Sequence, residues 1–274
     1  MTTVHEPLPP EERLRRLFAD RAEGGVLVAT SGGVDSCTLA AIAHQVLDED
    51  MLAVTLDAES NAARELEDAM TFLQDQAIPH AVVDHSELSD PDYRENTPMR
   101  CYHCREGMLD RLREVAEDRG LAHIAMGYVP DDRMDHTPGR RAAKEAGAWF
   151  PYVDAGIGKD QVRALAERMD LPVADRPSNA CLSSRIPYGQ EVTADKLETV
   201  EAAEQAVRSI ADVEQVRVRH HDDVARIEVA PDQRAALLAN DRAIAEELEQ
   251  LGFTFVAVDL LGYRTGALNE ALDG

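Results

Sequence analysis

The chain has 274 residues, with 52 acidic residues against 28 basic ones and a formal net charge of −24. That length suits one large or two modest domains, and the acidic excess argues against a long polyanion, such as a nucleic acid, as partner. Only Lys144, Lys159 and Lys196 are lysines, a composition that resembles proteins of a high-salt cytoplasm, where dissolved salt screens self-repulsion.

The apolar pattern and the cysteines narrow the class of protein further. The sequence has neither an apolar leader at its N-terminus nor an apolar run of roughly 18 residues, so we expect a cytoplasmic protein without a membrane span. Two of its four cysteines form the motif CYHC, at Cys101 and Cys104. This spacing favours a metal or redox site in a reducing compartment over a disulfide framework.

The first predicted elements are a short helix, a strand, a tight turn and a second helix. Residues 14–18 form an amphipathic pattern, and residues 26–30 are apolar or small and of β type. Gly32 and Gly33 then interrupt the pattern, and helical periodicity begins at Val34. We therefore predict that the strand passes through a glycine turn directly into a helix.

The glycine turn has the sequence SGGVDS, residues 31–36, and is suited to bind an anion. Its glycines let the backbone curl so that several N–H groups and a helix N-terminus point at one place. Ser31 and Ser36 add hydroxyl donors. A Walker A loop would need a lysine here, but the first lysine of the chain is Lys144. An ordinary glycine-rich turn is the alternative interpretation.

Strands and helices alternate as far as residue 128. Further strands are predicted over 51–57, 80–85 and 122–128, with a helix capped by Ser60 and another from about Arg105 to Arg119. This alternation predicts an α/β fold with a parallel, doubly wound sheet, whose ligands bind at the carboxyl ends of the strands. We expect that edge to hold Ser31 to Ser36, Asp57, Ala58, the loop with Cys101 and Cys104, and Gly127 with the acidic loop after it.

The rest of the chain contains a second, smaller domain. A loop rich in turn residues follows residue 175 and carries Cys181. We predict two domains, 1–187 and 188–274, the second being α+β. Its predicted elements are a helix over 194–210, two hairpin strands over 213–221 and 224–230, a helix over 231–251 and a last strand over 254–261.

Motifs along nearly the whole chain resemble one family. SGGVDS resembles the PP-loop of the ATP pyrophosphatase superfamily. Together with further motifs, it also resembles the LarE family of ATP-dependent sulfur transferases. These motifs are RCYHC, PGRRAA, RPSNACLSSRIPYG, RVRHH with ARIEV, and DLLGYRTG. The resemblance implies biosynthesis of a nickel-pincer nucleotide cofactor. ATP would adenylate a carboxylate of pyridinium-3,5-biscarboxylic acid mononucleotide, and a sulfur nucleophile would displace AMP to leave a thiocarboxylate. Thr137 departs from the family, which usually has arginine there.

The resemblance also implies where ATP and Mg²⁺ bind, and Asp35 would be catalytic by positioning the metal ion. The candidate nucleotide-binding residues are Ala29, Ser31, Gly32, Gly33, Val34, Asp35, Ser36, Asp57, Gly127 and Lys159. Lys159 opposes the dipole of a predicted helix N-terminus, which suggests a nearby phosphate, with a solvated lysine as the alternative. Asp131, Asp132 and Asp135 either belong to the same site or form a solvated acidic loop.

Cys181 aligns with the family's sulfur-bearing cysteine, and two chemistries are open. In sacrificial members, this thiolate attacks the adenylate and its own C–S bond breaks, leaving dehydroalanine. In other members, three cysteines hold a [4Fe-4S] cluster whose free iron binds a transferable sulfide, and Cys101, Cys104 and Cys181 fit this type. A structural zinc half-site is the alternative for CYHC. Cys37 is interpreted as a core residue.

The predicted small domain supplies the candidate substrate-binding residues Arg185, Arg217, Arg219, Glu228 and Arg264. Guanidinium groups match phosphate and carboxylate oxygens bidentately. The strand period of two puts Arg217 and Arg219 on one face and Val216 with Val218 on the core face. Plain surface charge is an alternative for Arg219.

Other functions remain open from sequence alone: a tRNA thiolase, an amide-forming synthetase, or a nucleotide sensor that does not turn ATP over. We expect a small-molecule substrate, a homo-oligomer, neither nucleic acid nor membrane as partner, and a downstream enzyme that inserts nickel.

Overall fold

The computed structural model describes residues 8–133, 138–176 and 180–264. These residues pack as two compact units. The first consists of the described residues of Met1–Glu87 and Cys101–Asn179, and the second of those of Leu88–Arg100 and Ala180–Gly274. The predicted functional division at residue 188 stays a prediction.

A four-stranded parallel sheet lies at the centre of the first unit and confirms the predicted α/β class. Its strands are β1 (Val26–Thr30), β2 (Met51–Asp57), β3 (His80–Asp84) and β4 (His123–Met126), in the order β3-β2-β1-β4. The chain adds β2 and β3 on one side of β1 and then returns to place β4 on the other. The order therefore reverses beside β1, and ligands of such sheets bind at this reversal.

Both faces of this sheet are covered, as a parallel sheet requires. Val26 and Val28 of β1 belong to one apolar cluster together with Leu14 and Phe18, while Leu27 belongs to a second cluster on the other face. The helices in chain order are α1 (Pro10–Arg21), α2 (Val34–Leu47), α3 (Ala63–Asp75), α4 (Pro91–Arg94), α5 (Arg100–Arg119), α6 (Pro138–Glu145), α7 (Pro151–Ala155), α8 (Lys159–Arg168), α9 (Ala194–Ala211), α10 (Arg234–Ala239) and α11 (Asp241–Gln250).

The second unit contains a three-stranded sheet made of β5 (Val216–His221), β6 (Val224–Val229) and β7 (Phe255–Val258), in that order. β5 and β6 form the predicted antiparallel hairpin, and β7 pairs with β6 in parallel. Apolar side chains of α9, α10 and α11 pack with those of the sheet in one core. Of the helices in the described ranges, none has the length and apolar character needed to cross a membrane.

Several predicted helices differ from the structure in their bounds. α3 begins at Ala63, with Ala62 rather than the predicted Ser60 at its N-cap. α5 begins at Arg100 rather than near residue 105, because the hydroxyl of Thr97 accepts the N–H of Met99 and starts the helix earlier. The helix predicted over 231–251 is two helices. They are separated at Asn240, whose side-chain amide donates to the carbonyl of Ala236.

Asn96 is the polar centre of the second unit. It is fully buried and has a φ of 56°, a left-handed conformation that few residue types adopt. Its amide nitrogen lies 2.8 Å from the carbonyl oxygens of Pro187 and Gln190 and 3.3 Å from that of Ile186. Its amide oxygen accepts a hydrogen bond of 2.6 Å from Arg100. One side chain therefore provides the hydrogen-bond donor for backbone carbonyl groups of the loop that follows Arg185.

Replacing Asn96 with alanine should lower the free energy of unfolding by about 3 kcal/mol, because it removes these hydrogen bonds and puts a Cβ without a polar group at positive φ. The measurement is the urea midpoint in molar salt. Asn240→Ala, which removes a bond to one carbonyl, is the matched control and should cost about 1 kcal/mol or less. Equal midpoints for the two variants would contradict the assignment.

Candidate functional site

The glycine turn of residues 31–36 joins β1 to α2 at the carboxyl edge of the sheet. Gly32 has a φ of 75°, and a Cβ there would lie 3.1 Å from atoms of α3. The Ser36 hydroxyl donates to the Gly33 carbonyl at 3.2 Å and lies 3.1 Å from the Ser31 nitrogen, whose N–H it accepts. These bonds fix the turn at the N-terminus of a long helix, the arrangement that favours a bound phosphate.

The Lys159 side chain reaches this turn and is 32% exposed. Its ammonium nitrogen is 2.5 Å from a carboxylate oxygen of Asp35, in the first turn of α2. Asp131 accepts the Lys159 backbone N–H at 2.6 Å, and a Cβ on Gly158 would lie 2.7 Å from the same carboxylate. The first residues of α8 are thereby held so that the lysine reaches the turn. A phosphate arriving here would meet one cation already in place.

The other candidates for nucleotide binding divide into three groups. Ala29 near the end of β1 and the buried Val34 at the start of α2 flank the turn. Gly127 packs against α2, since a Cβ there would lie 3.0 Å from a backbone nitrogen. Asp57 ends β2 with an exposed side chain. The side chain of Asp132, and Asp135 and Thr137 as a whole, lie outside the described residues.

Arg176 also reaches the glycine turn, which the sequence did not predict. One of its terminal nitrogens donates to the Gly32 carbonyl at 3.0 Å, and the other lies 3.3 Å from a carboxylate oxygen of Asp68 on α3. The motif RPSNACLSS contains this arginine but carries no signal for the contact.

Cys101 and Cys104 lie on the first turn of α5, not in the loop that was predicted. Their spacing of three puts both thiols on one side of the helix. Cys101 is exposed, and the Cys104 thiol donates to Glu87 at 2.9 Å. Burial lowers the pKa of the neighbouring Arg105 guanidinium, but Tyr128, both thiols and Glu87 outweigh it and raise that pKa above its ordinary value. Arg105 is therefore a cation suited to compensate thiolate charge.

The remaining cysteines differ from this pair. Cys37 is buried in α2, and burial raises the pKa of its thiol to about 12, as a core residue would have. Cys181 belongs to the second unit and is partly exposed, with its carbonyl 2.8 Å from an Arg185 nitrogen. Within the described ranges, no group of three or more His, Cys, Asp or Glu side chains is arranged to hold a metal ion.

The second unit buries ion pairs beneath its hairpin. Arg185 is 1% exposed and bonds Glu204 through two nitrogens, at 2.7 and 3.1 Å. Arg219 lies 2.7 Å from a carboxylate oxygen of Glu228, and both are buried. The alternative of plain surface charge for Arg219 was therefore wrong. The strand face opposite Val218 is covered as well, whereas the alternation of residue types predicts only one buried face.

Arg217 is a buried cation whose described contacts include no carboxylate. It donates to the carbonyl of Val216 at 2.9 Å, and its guanidinium carbon lies 5.3 Å from the centre of the Tyr263 ring. Burial and, next, a neighbouring guanidinium lower its pKa from the ordinary arginine value. Arg264 lies 3.6 Å from a carboxylate oxygen of Asp259. Among these arginines, Arg217 has the most to gain from an anionic ligand.

Comparisons with known proteins show which proteins this chain is similar to. Residues 11–106 match the family model described as NAD synthase. The chain is 38% identical over 265 residues to an uncharacterized protein of Synechocystis, covering 95% of this chain and 97% of that one. It is 36% identical over 252 residues to the pyridinium-3,5-bisthiocarboxylic acid mononucleotide synthase of Lactiplantibacillus plantarum, covering 90% of each. A tRNA-specific 2-thiouridylase of Rickettsia felis is 27% identical over 56% of this chain and 52% of its own length.

The thiols should differ in their rate of alkylation. With iodoacetamide at pH 8, Cys101 should react first, because it is exposed. Cys37 should stay unmodified until the protein unfolds, because a pKa of about 12 leaves only about one part in 10⁴ as the reactive thiolate. Peptide mass spectrometry over time measures both rates. Labelling of Cys37 in the folded protein as fast as Cys101 would contradict this description.

Proposed function

The chain belongs to the LarE family of ATP-dependent sulfur transferases, and from that premise we propose that it converts pyridinium-3,5-biscarboxylic acid mononucleotide to a thiocarboxylate. In the first step, a substrate carboxylate oxygen attacks the α-phosphorus of ATP and pyrophosphate leaves. In the second step, sulfur attacks the acyl carbon and AMP leaves. The observation that carries the proposal is the 36% identity across 90% of the chain with the synthase of Lactiplantibacillus plantarum.

The glycine turn is the proposed pyrophosphate site. A carboxylate is a poor acyl donor until its oxygen becomes part of a phosphoanhydride, so ATP must be held with its α-phosphate open to attack. Backbone N–H groups at the start of α2 would hold the leaving pyrophosphate. Lys159, now 2.5 Å from Asp35, would move to a phosphate oxygen. The Asp35 carboxylate could then bind Mg²⁺, which prefers carboxylate and phosphate oxygens.

The proposed sulfur-delivery site uses Cys101, Cys104 and Cys181 to hold a [4Fe-4S] cluster. Three thiolate ligands leave one iron without a protein ligand. Two observations support this proposal: the pair on α5 is accompanied by the cationic Arg105, and the core residue Cys37 is not available as a fourth ligand. When bound, such a cluster supplies an iron site for the sulfide that is transferred. The rival mechanism, in which Cys181 gives up its own sulfur, needs no iron–sulfur cluster.

The arginines of the second unit are the proposed substrate site. Ion pairs there join five arginines to the carboxylates of Glu204, Glu228 and Asp259, and Arg217 is a further buried cation of the same unit. A local excess of positive charge in a chain of net charge −24 suits a substrate with a phosphate and two carboxylates. Arg217, Arg219 and Arg264 would contact these oxyanions. Arg185 and Glu228 would hold the arginines in place through their buried pairs.

A tRNA thiolase is less well supported. The tRNA-modifying relative from Rickettsia felis matches 56% of this chain and 52% of its own length, whereas the synthase of Lactiplantibacillus plantarum matches 90% of each. Binding of RNA depends on neutralising phosphates, and a net charge of −24 opposes it. An amide-forming synthetase would have no use for three exposed or partly exposed thiols.

Pyrophosphate release tests the activation step. The wild type should release pyrophosphate from ATP only when the pyridinium dicarboxylate is present, and Lys159→Met should lower kcat/KM for ATP about 10- to 100-fold, through loss of a charged hydrogen bond. Lys196→Met is the matched control, because the ammonium group of Lys196 donates to the backbone carbonyl of Glu191. ATP binding without release would support the nucleotide sensor, and equal activity of both variants would refute the role of Lys159.

Anaerobic reconstitution with iron and sulfide tests sulfur delivery. The wild type and Cys37→Ser should turn brown and bind iron, while Cys101→Ser, Cys104→Ser and Cys181→Ser should not. Mass spectrometry of Cys181 after turnover should find the residue intact. Colourless wild-type protein, or a Cys181 that has lost the mass of H₂S, would refute the cluster mechanism and support the sacrificial one.

A further inference from the structure

The peptide that joins Gly32 to Gly33 has unusual freedom of direction. Gly32 has a φ of 75°, and Gly33 has φ and ψ of −77° and 157°. A peptide flip changes the ψ of the first residue and the φ of the second, and neither glycine has a Cβ to oppose such a change. In the described part of the chain, the Gly33 N–H donates to no protein group. This N–H is therefore open to a ligand, but the two glycines do not themselves fix the direction in which it points.

The Arg176 guanidinium fixes that peptide from outside the turn. It donates to the Gly32 carbonyl at 3.0 Å through one terminal nitrogen, while the other lies 3.3 Å from Asp68. The planar fork of arginine allows both contacts at once. Arg176 is itself held, since its carbonyl accepts a hydrogen bond from Arg163. The carbonyl of Gly32 is thus tied to α3 and to the chain near residue 176.

A trans peptide carries its C=O and N–H in opposite directions, so holding the carbonyl also aims the N–H. We propose that Arg176 is a positioning residue, which keeps the Gly33 N–H turned toward bound pyrophosphate. A flipped peptide would present a carbonyl oxygen to the anion and repel it. The next peptide is fixed in the same way, because the Ser36 hydroxyl and the Cys37 N–H both donate to the Gly33 carbonyl. The inference rests on the proposed function of the glycine turn.

Calorimetric titration with magnesium pyrophosphate and, separately, with AMP tests this role. Arg176→Ala should weaken pyrophosphate binding about tenfold, the size of one lost hydrogen bond to a charged group, and leave AMP binding unchanged. Arg176→Lys should recover part of the loss, because an ammonium can donate to the Gly32 carbonyl but lacks the fork that also reaches Asp68. Arg64→Ala is the matched control, since Arg64 also lies near Asp68 but is 70% exposed. It should bind both ligands like the wild type.

The outcomes separate this inference from the proposed function. Wild-type protein that binds no pyrophosphate would overturn the assignment of the glycine turn, and the role of Arg176 with it. Wild-type binding together with equal pyrophosphate affinity of Arg176→Ala would overturn only the role of Arg176. An equal loss of pyrophosphate and AMP binding would also overturn it, because general disturbance of the fold affects both ligands. Retained AMP binding shows that a variant is folded.

Discussion

The direction of backbone N–H groups in the turn from β1 to α2 is the constraint on which the first unit depends. A parallel sheet covered on both faces leaves its ligand site at the carboxyl ends of its strands, beside the reversal of strand order. Gly32 lets the chain turn there at positive φ against α3. Contacts from Ser36 and Arg176 then hold the carbonyls, which leaves N–H groups for an anion. Lys159, at the start of α8, adds a positive charge to the site.

The second unit depends on a different balance, between the burial of charge and its compensation. Burying an ion is costly unless it is paired and hydrogen-bonded. Glu204 meets this requirement for two arginines and also accepts the backbone N–H of Val218. Arg217 is buried with a carbonyl and an aromatic ring as its described partners. An anionic substrate would add a directly bonded negative charge, which is a physical reason to propose phosphate or carboxylate recognition in this unit.

The sequence predicted those parts of the protein that depend on local pattern. The strand, glycine turn and helix follow from periodicity and from Gly32 with Gly33, and the hairpin follows from alternation. The start of α5 was missed because a hydroxyl of Thr97 governs it. The contact of Arg176 with Gly32 joins residues 144 positions apart, which no local pattern reveals. The burial of Arg219 was missed because alternation assumes one solvated face, and here both faces are covered.

The most direct test of the account follows one oxygen atom. If a substrate carboxylate attacks the α-phosphorus of ATP, that oxygen becomes the bridge of the acyl adenylate and leaves with AMP when sulfur takes its place. With a dicarboxylate whose carboxyl oxygens are ¹⁸O, mass spectrometry should find one ¹⁸O atom in the phosphate of AMP and none in pyrophosphate. Unlabelled AMP, or label in a phosphate released from the other end of ATP, would contradict carboxylate activation at this turn.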